Sequence, residues 1–242
     1  GDVYKRQPQP NLRLDDLDLD LITQIKIEIE EKTNTTYTSI KKLFAAYGLL
    51  DPAGQPNKFC LLLFGNQPQR FIKNSYLTIV KYNQHLDMEV NRNYLGNLIH
   101  ILEDAYADLT DLIPTKEVID PKTGKRMRTP IFPYVAVREV LVNAIVHRDY
   151  NLIGSRVIIS IYPDRIEFQS PGNLPAGITP KTILRSQYSR NPEITEILNY
   201  LGYLEQLGSG LDRTFQAYQN SNLPPSIENF DNMVIVTLYK ID

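Results

Sequence analysis

Three polar side chains that could do chemistry repeat at four-residue spacing within the apolar stretch VAVREVLVNAIVH, residues 135–147. They are Glu139, Asn143 and His147, and on an α-helix this spacing places them on one stripe. A carboxylate can orient or deprotonate an attacking water, and an amide carbonyl is a hard oxygen ligand suited to Mg²⁺. The polar stripe needs partners, which protein, water or a bound ligand could provide.

The same helix has a second, apolar stripe with the period of a helix that faces a protein core. Its members are Val137, Val140, Leu141, Ala144 and Ile145. Pro133 is well placed to open this helix. Taken alone, Glu139 and Asn143 fit a satisfied pair on a helix flank, and His147 fits a core or helix-end histidine. We interpret Arg148 and Asp149 as a local ion pair that closes the helix.

Glycines downstream of this helix add a second kind of chemistry. A Pro-Gly turn follows two predicted strands at Ser170-Pro171-Gly172, and Gly208-Ser209-Gly210 leads into a predicted helix. Glycines at a helix start let backbone N–H groups approach an anion, which the helix dipole also favours. Together with the polar stripe, these elements predict a site for a nucleoside triphosphate.

Common nucleotide motifs are absent from the sequence. There is no G-x-x-x-x-G-K-[ST] motif, which excludes a P-loop. Gly208 and Gly210 lack both the third glycine and the preceding strand of a dinucleotide fingerprint. His147-Arg148-Asp149 imitates the catalytic triplet of protein kinases, but Gly154 occupies the position that requires asparagine.

Composition narrows the class of protein further. The 242 residues are 42% hydrophobic and 22% charged, with a formal net charge of −2, which excludes nucleic-acid binding by bulk charge. Cys60 is the single cysteine, so a reducing, cytoplasmic setting is expected. The longest apolar run, FCLLLF, is too short to span a bilayer, and no membrane partner is expected.

One basic segment departs from this balance. The sequence DPKTGKRMR predicts the tip of a hairpin that carries four cations. These cations are Lys122, Lys125, Arg126 and Arg128. A solvated turn is the favoured interpretation, and contact with a phosphate backbone is the alternative. Lys181, Arg185 and Arg190 pose a similar choice between solvated loop charges and contact with a γ-phosphate.

Periodicity and breakers predict the remaining elements. The predicted helices are 15–32, 39–47, 89–112, one from Asn191-Pro192 to about Tyr200, and one after Gly210, and the predicted strands are 76–82, SRVIISIY, RIEFQS and MVIVTLYK. FCLLLFG is predicted to be a short buried element closed by Gly65.

The order of these elements resembles a known family. EVLVNA resembles the N-box of the GHKL ATPases, which include gyrase, the Hsp90 chaperones, sensor histidine kinases and MutL. PYVAVREVLVNAIVHRDY, DRIEFQSPGNLP, SRNPEI and EQLGSGLDR together resemble the C-terminal ATP-binding domain of bacterial transcriptional regulators related to ATP-dependent DNA helicases. In that family an AlbA-like, Schlafen-type DNA-binding domain precedes. The resemblance covers most of residues 12–242.

The resemblance implies an α/β fold, an α+β sandwich of the GHKL or Bergerat type, preceded by a helical connector. Residues 8–73 would be that connector, following a missing DNA-binding domain, and 74–242 the ATP-binding domain. DVYKRQ resembles a translated sequencing adapter, so residues 1–7 are predicted to be a scar. The implied cofactors are ATP and Mg²⁺, and the implied partners are DNA, through the missing domain, and a second copy in a nucleotide-gated homodimer.

The resemblance also implies roles for individual residues. Glu139 would be the water-activating base and Asn143 the Mg²⁺ ligand. The residues implied in cofactor binding are Asn143, Ser170, Gly172, Asn173, Gly208, Ser209 and Gly210. Ser170 stands where GHKL ATPases have an aspartate that accepts from the adenine amino group, and a serine hydroxyl can accept that bond without charge. The alternative is a non-catalytic scaffold that serves dimerisation and positions the DNA-binding domain.

Overall fold

A computed structural model describes residues 13–183, 188–204 and 210–241. Its strands are β1 (Leu77–Tyr82), β2 (Met88–Tyr94), β3 (Thr115–Ile119), β4 (Arg126–Pro130), β5 (Val157–Ile161), β6 (Arg165–Pro171), β7 (Ser226–Phe230) and β8 (Met233–Tyr239). Six of them form one mixed sheet in the order β2-β1-β5-β6-β8-β7. The β1/β5 pair is parallel, and the other pairs are antiparallel.

The helices lie between these strands and before them. They are α1 (Leu19–Thr33), α2 (Ile40–Ala46), α3 (Lys58–Phe64), α4 (Leu98–Leu112), α5 (Tyr134–Val146), α6 (Pro192–Tyr200) and α7 (Gly210–Ala217). Short 3-10 turns occur at Leu14–Asp16 and Pro68–Arg70. Among the described helices, none combines the length and the apolar content that a bilayer crossing requires.

One face of the six-stranded sheet is covered by helices. Cross-strand partners such as Ile79, Ile159 and Phe168 are buried and in register, because side chains alternate between the two faces of a strand. Helix α4 packs on β1 and β2, and α5 packs beside it on β6 and β8. The predicted α/β sandwich is therefore confirmed.

Helix α5 has the two stripes that its sequence predicts. The apolar stripe is fully buried, from Val137 to Ile145. Pro133 precedes the first helical residue, and the helix ends at His147. The hydroxyl of Tyr150 donates to the carbonyl of Ile145 at 2.9 Å and so satisfies a carbonyl of the last turn.

The three N-terminal helices each begin at a side-chain cap. Asp18, Ser39 and Asn57 accept backbone N–H bonds at the starts of α1, α2 and α3. Every residue of α3 is buried, and the helix packs against α1, α4 and α6. The division at residue 74 stays a prediction. Residues 1–7, the predicted scar, lie outside the described residues.

The predicted helix 89–112 is wrong in its first part. Residues 88–94 form the edge strand β2, which pairs antiparallel with β1. Gly96 adopts a φ of +108°, and the Asn97 side chain accepts from the backbone N–H of His100 to cap α4. The strand forms because β1 offers an unpaired edge, which the local sequence cannot reveal.

The basic segment forms the predicted hairpin. Strands β3 and β4 make a two-stranded sheet separate from the main one. Gly124 takes a left-handed φ of +66° at the tip, a conformation that glycine adopts without strain. All four cations of the segment are exposed.

Candidate functional site

A cavity of about 390 Å³ lies between α5, the end of β6 and the first residues of α7. Much of its wall is apolar, with Phe168, Leu211 and Val236 among the lining residues. The polar side chains that line it include Glu139, Asn143, His147, Ser170, Asn173 and Arg190. Its size falls in the range of small-molecule sites, and an apolar wall with a few placed polar groups is typical of them.

Asn143 lines this cavity, and its amide oxygen accepts no described hydrogen bond. Its Nδ2 donates to the backbone carbonyl of Glu139 at 2.8 Å, within the same helix. A carbonyl only accepts, so the amide nitrogen must be the donor and Oδ1 is left over. No donor among the described residues reaches Oδ1. The oxygen is therefore available to a cation or to a ligand.

Glu139 is almost fully buried, with 3% of the residue exposed. Its Oε1 accepts from Nη2 of Arg213 on α7 at 3.0 Å, and its Oε2 lies 3.9 Å from Nη1 of Arg138. The carboxylate is thus compensated by two guanidinium groups. The role of Glu139 as a general base stays a prediction.

Ser170 lies near the end of β6 and is 8% exposed. Its hydroxyl donates to the backbone carbonyl of Ala144 at 2.7 Å, which ties the strand to α5. Because the single hydroxyl proton is used in this bond, Ser170 can only accept a hydrogen bond from anything in the cavity.

The turn after Ser170 packs closely on the loop that follows α5. Gly172 has a φ of +119°, and a Cβ atom there would lie 2.9 Å from Cβ of Asp149. Its N–H donates to the carbonyl of Asn232 at 2.7 Å. Asn173 is exposed at the rim, where its Nδ2 donates to Oδ1 of Asn232 at 2.5 Å. Glycine is therefore required at position 172.

Gly210 begins α7 directly against the carboxylate of Glu139. A Cβ atom at Gly210 would lie 2.3 Å from Oε1 of Glu139, so only glycine allows this approach. Gly208 and Ser209 lie outside the described residues. The structure thus places Glu139, Asn143, Ser170, Gly172, Asn173 and Gly210 around one cavity.

His147 completes the polar stripe along the cavity. Burial, together with the positive charge of Arg190, lowers the pKa of its imidazole to about 4. Arg190 lies 3.4 Å from Oδ2 of Asp149 and donates to the carbonyl of Asn173. Lys181 is exposed, and Arg185 is not among the described residues.

The predicted ion pair between Arg148 and Asp149 is wrong. Arg148 turns inward, stacks on the ring of Tyr150 at 4.5 Å and donates to the carbonyl of Ser155 at 2.7 Å. Asp149 pairs with Arg190 instead. The side chains of adjacent residues at the end of a helix point in different directions, which explains why Arg148 and Asp149 do not pair.

Two contacts of this region were missed by sequence reasoning. Arg213 is the partner of Glu139, and the two are 74 positions apart. Asn191 precedes the first residue of α6, as predicted, but its side chain makes no cap hydrogen bond there. Its Nδ2 donates to the carbonyls of Val146 and Arg148 and joins the start of α6 to the end of α5. The sequence contains no signal for either contact.

The fold and the cavity define an α/β sandwich with a ligand-sized site beside a helix start. Residues 154–238 match the family model described as "Putative ATP-dependent DNA helicase recG C-terminal". This match supports a helicase-related C-terminal domain. The matched stretch includes Ser170, Gly172 and Gly210, whereas Glu139 and Asn143 precede it.

Solved structures support the same fold. Five solved chains match, among them the crystal structure of the DIP2311 protein from Corynebacterium diphtheriae. It is 22% identical with a TM-score of 0.76, and the match covers 99% of this chain and 49% of that one. This chain therefore spans about half the length of that protein. No curated protein matches the chain.

Proposed function

We propose that the cavity binds ATP with Mg²⁺ and that the chain is the nucleotide-binding part of a DNA-binding regulator. The observation that carries the proposal is that one cavity is lined both by Asn143, whose Oδ1 accepts no described hydrogen bond, and by the glycine start of α7. The similarity of residues 154–238 to a family described as ATP-dependent supports the choice of nucleotide.

Each polar group then has a stated task. Asn143 would hold Mg²⁺ through Oδ1, and phosphate oxygens and water would supply the other ligands. Bound Mg²⁺ would neutralise phosphate charge. The N–H groups at the start of α7, with Gly208, Ser209 and Gly210, would meet the phosphates. Ser170 would accept from the adenine amino group, and the Gly172-Asn173 turn would border the base.

Three finer proposals accompany nucleotide binding. DNA would be bound through an N-terminal domain that precedes this chain, and nucleotide would gate a homodimer. Slow hydrolysis is a further proposal, and Glu139 could serve as its base only if Oε1 exchanged its bond with Arg213 for one with water. A scaffold that binds no nucleotide is the alternative.

Calorimetric titration of Mg-ATP tests nucleotide binding. We expect the wild type to bind in a Mg²⁺-dependent manner and Asn143→Ala to bind about tenfold or more weakly, with little dependence on Mg²⁺, because the metal loses its protein ligand. Asn91→Ala, an exposed asparagine on β2, is the control and should bind as the wild type. Absence of heat from the wild type would instead support the scaffold.

The β3–β4 hairpin supports a second candidate function, direct contact with a nucleic-acid backbone. It lies outside the main sheet and carries its cations on an exposed tip, from Lys122 to Arg128. The one described ion pair of these cations joins Arg126 to Glu117 at 3.3 Å, and both side chains are largely exposed. Such a pair contributes little and does not neutralise the hairpin for a polyanion.

The salt dependence of DNA binding tests the proposed role of this hairpin. Fluorescence anisotropy with a labelled DNA duplex should give an affinity that falls steeply with salt. The double substitution Lys125→Ala and Arg126→Ala should weaken binding and reduce the slope of log affinity against log salt by about two. Lys41→Ala with Lys42→Ala removes two exposed cations from α2 as a control. Equal slopes for the two double variants would contradict a role for the hairpin.

A further inference from the structure

The buried carboxylate of Glu139 holds α7 through two adjacent points. Its Oε1 accepts from Arg213 at 3.0 Å, and the α-carbon of Gly210 lies against the same oxygen. A buried carboxylate needs such compensation, because an unpaired charge is strongly disfavoured away from water. Loss of this contact should therefore cost more free energy than loss of an exposed ion pair.

Arg213 is well placed to set the position of the helix start. It follows Gly210 by three residues on α7, and helical side chains lean back toward the N-terminus of their helix. Asn143 lies one turn beyond Glu139 on α5. One carboxylate thus links the phosphate end of the proposed site to the helix that carries the metal ligand.

We propose that Arg213 is a positioning residue of the nucleotide site: its ion pair with Glu139 fixes the start of α7 relative to Asn143. Glu139 then acts through this pair and not as the water-activating base. The inference rests on the proposed function, since it assigns a task within that same site.

The geometry at Oε1 favours this role over base catalysis. A general base must be within hydrogen-bond reach of the water that it activates. Here Oε1 already accepts a charge-assisted bond, which is among the stronger hydrogen bonds in proteins, and Gly210 covers it from the side of α7. Oε2 lies 3.9 Å from Arg138.

The test compares Arg213→Met, Arg213→Lys and Glu139→Gln in the full chain. Calorimetry with Mg²⁺ and a non-hydrolysable ATP analogue should show about tenfold weaker binding for Arg213→Met. Arg213→Lys should recover most of the loss, because the ammonium restores the charge. Glu139→Gln should resemble Arg213→Met, and the double variant should be no weaker than either, as expected for two members of one interaction.

Arg138→Met is the matched control. The side chains of Arg138 and Arg213 are equally exposed, at 32%, and both face the same carboxylate, but Arg138 is on α5 and 3.9 Å away. We expect its removal to change affinity by no more than about twofold. A loss as large as that of Arg213→Met would overturn the proposal, because position on α7 would then be irrelevant.

Two further readouts separate this proposal from the nucleotide assignment. Wild-type affinity in Arg213→Met, or a Glu139→Gln variant that binds normally but loses all ATP turnover, overturns the positioning role. If the wild type binds no nucleotide, the proposed function fails. In that case, hydrogen exchange at residues 210–214 tests whether Arg213 positions the start of α7. Faster exchange in Arg213→Met than in Arg213→Lys supports positioning, and equal exchange overturns it.

Discussion

Gly210→Ala should abolish measurable nucleotide binding, with a loss of affinity of about a hundredfold or more. The new Cβ atom would lie 2.3 Å from Oε1 and 2.9 Å from Cδ of Glu139. Either α7 moves away from α5, or the carboxylate rotates into the cavity. In the first case the helix start leaves the site, and in the second a negative charge meets the phosphates.

The measurements are calorimetry with Mg-ATP and thermal unfolding. The free energy of unfolding should change by less than the free energy of binding, because alanine favours the helix by about 1 kcal/mol while the crowding opposes it by about 1–3 kcal/mol. Gly154→Ala is the control: its Cβ atom meets nothing within 4 Å, and its φ needs no glycine. Unchanged affinity in Gly210→Ala would show that the start of α7 plays no part in binding.

Local periodicity predicted the structural features that depend only on residues close in sequence. The two stripes of α5 follow from a 3.6-residue period, and both occur as predicted. The predicted hairpin tip in DPKTGKRMR is also a real turn, with a positive φ at Gly124. Such features need no knowledge of distant partners, so the sequence is sufficient for them.

Strands that depend on a partner were less predictable. Residues 89–94 carry a pattern compatible with a helix, and only the edge of β1 selects the strand. Strand β7 was not predicted at all. Its sequence SIENF is short, most of its side chains are exposed, and the strand forms by pairing with β8. In both cases tertiary pairing outweighs local preference.

The residues of the site also divide into those that the sequence predicted and those that only the folded chain brings together. The helix spacing and the glycines predicted Glu139, Asn143 and Gly210 as site residues, and their convergence on one cavity needed the family resemblance as well. The charge partners could not be predicted. Glu139 meets Arg213, 74 positions away, and Arg190 reaches back 41 positions to Asp149, so each pair exists only after the chain folds.

His147 should make the stability of the protein depend on pH. Its pKa falls from 6.5 to about 4 on folding, so between these values the unfolded chain binds more protons than the folded one. Stability is therefore complete above pH 6.5 and decreases as the pH falls toward 4. The decrease attributable to His147 should reach about 3 kcal/mol, since one pKa unit corresponds to about 1.4 kcal/mol.

Urea unfolding at several pH values between 7 and 4 measures this dependence. His147→Gln should remove the contribution, whereas His85→Gln, at an exposed position, should keep it. Equal pH dependence in His147→Gln and the wild type would show that the imidazole does not resist protonation. At neutral pH the imidazole is uncharged and adds no cation to the cavity. In the proposed site, His147 would therefore contribute no positive charge to phosphate binding, which would rest on the other groups of the cavity.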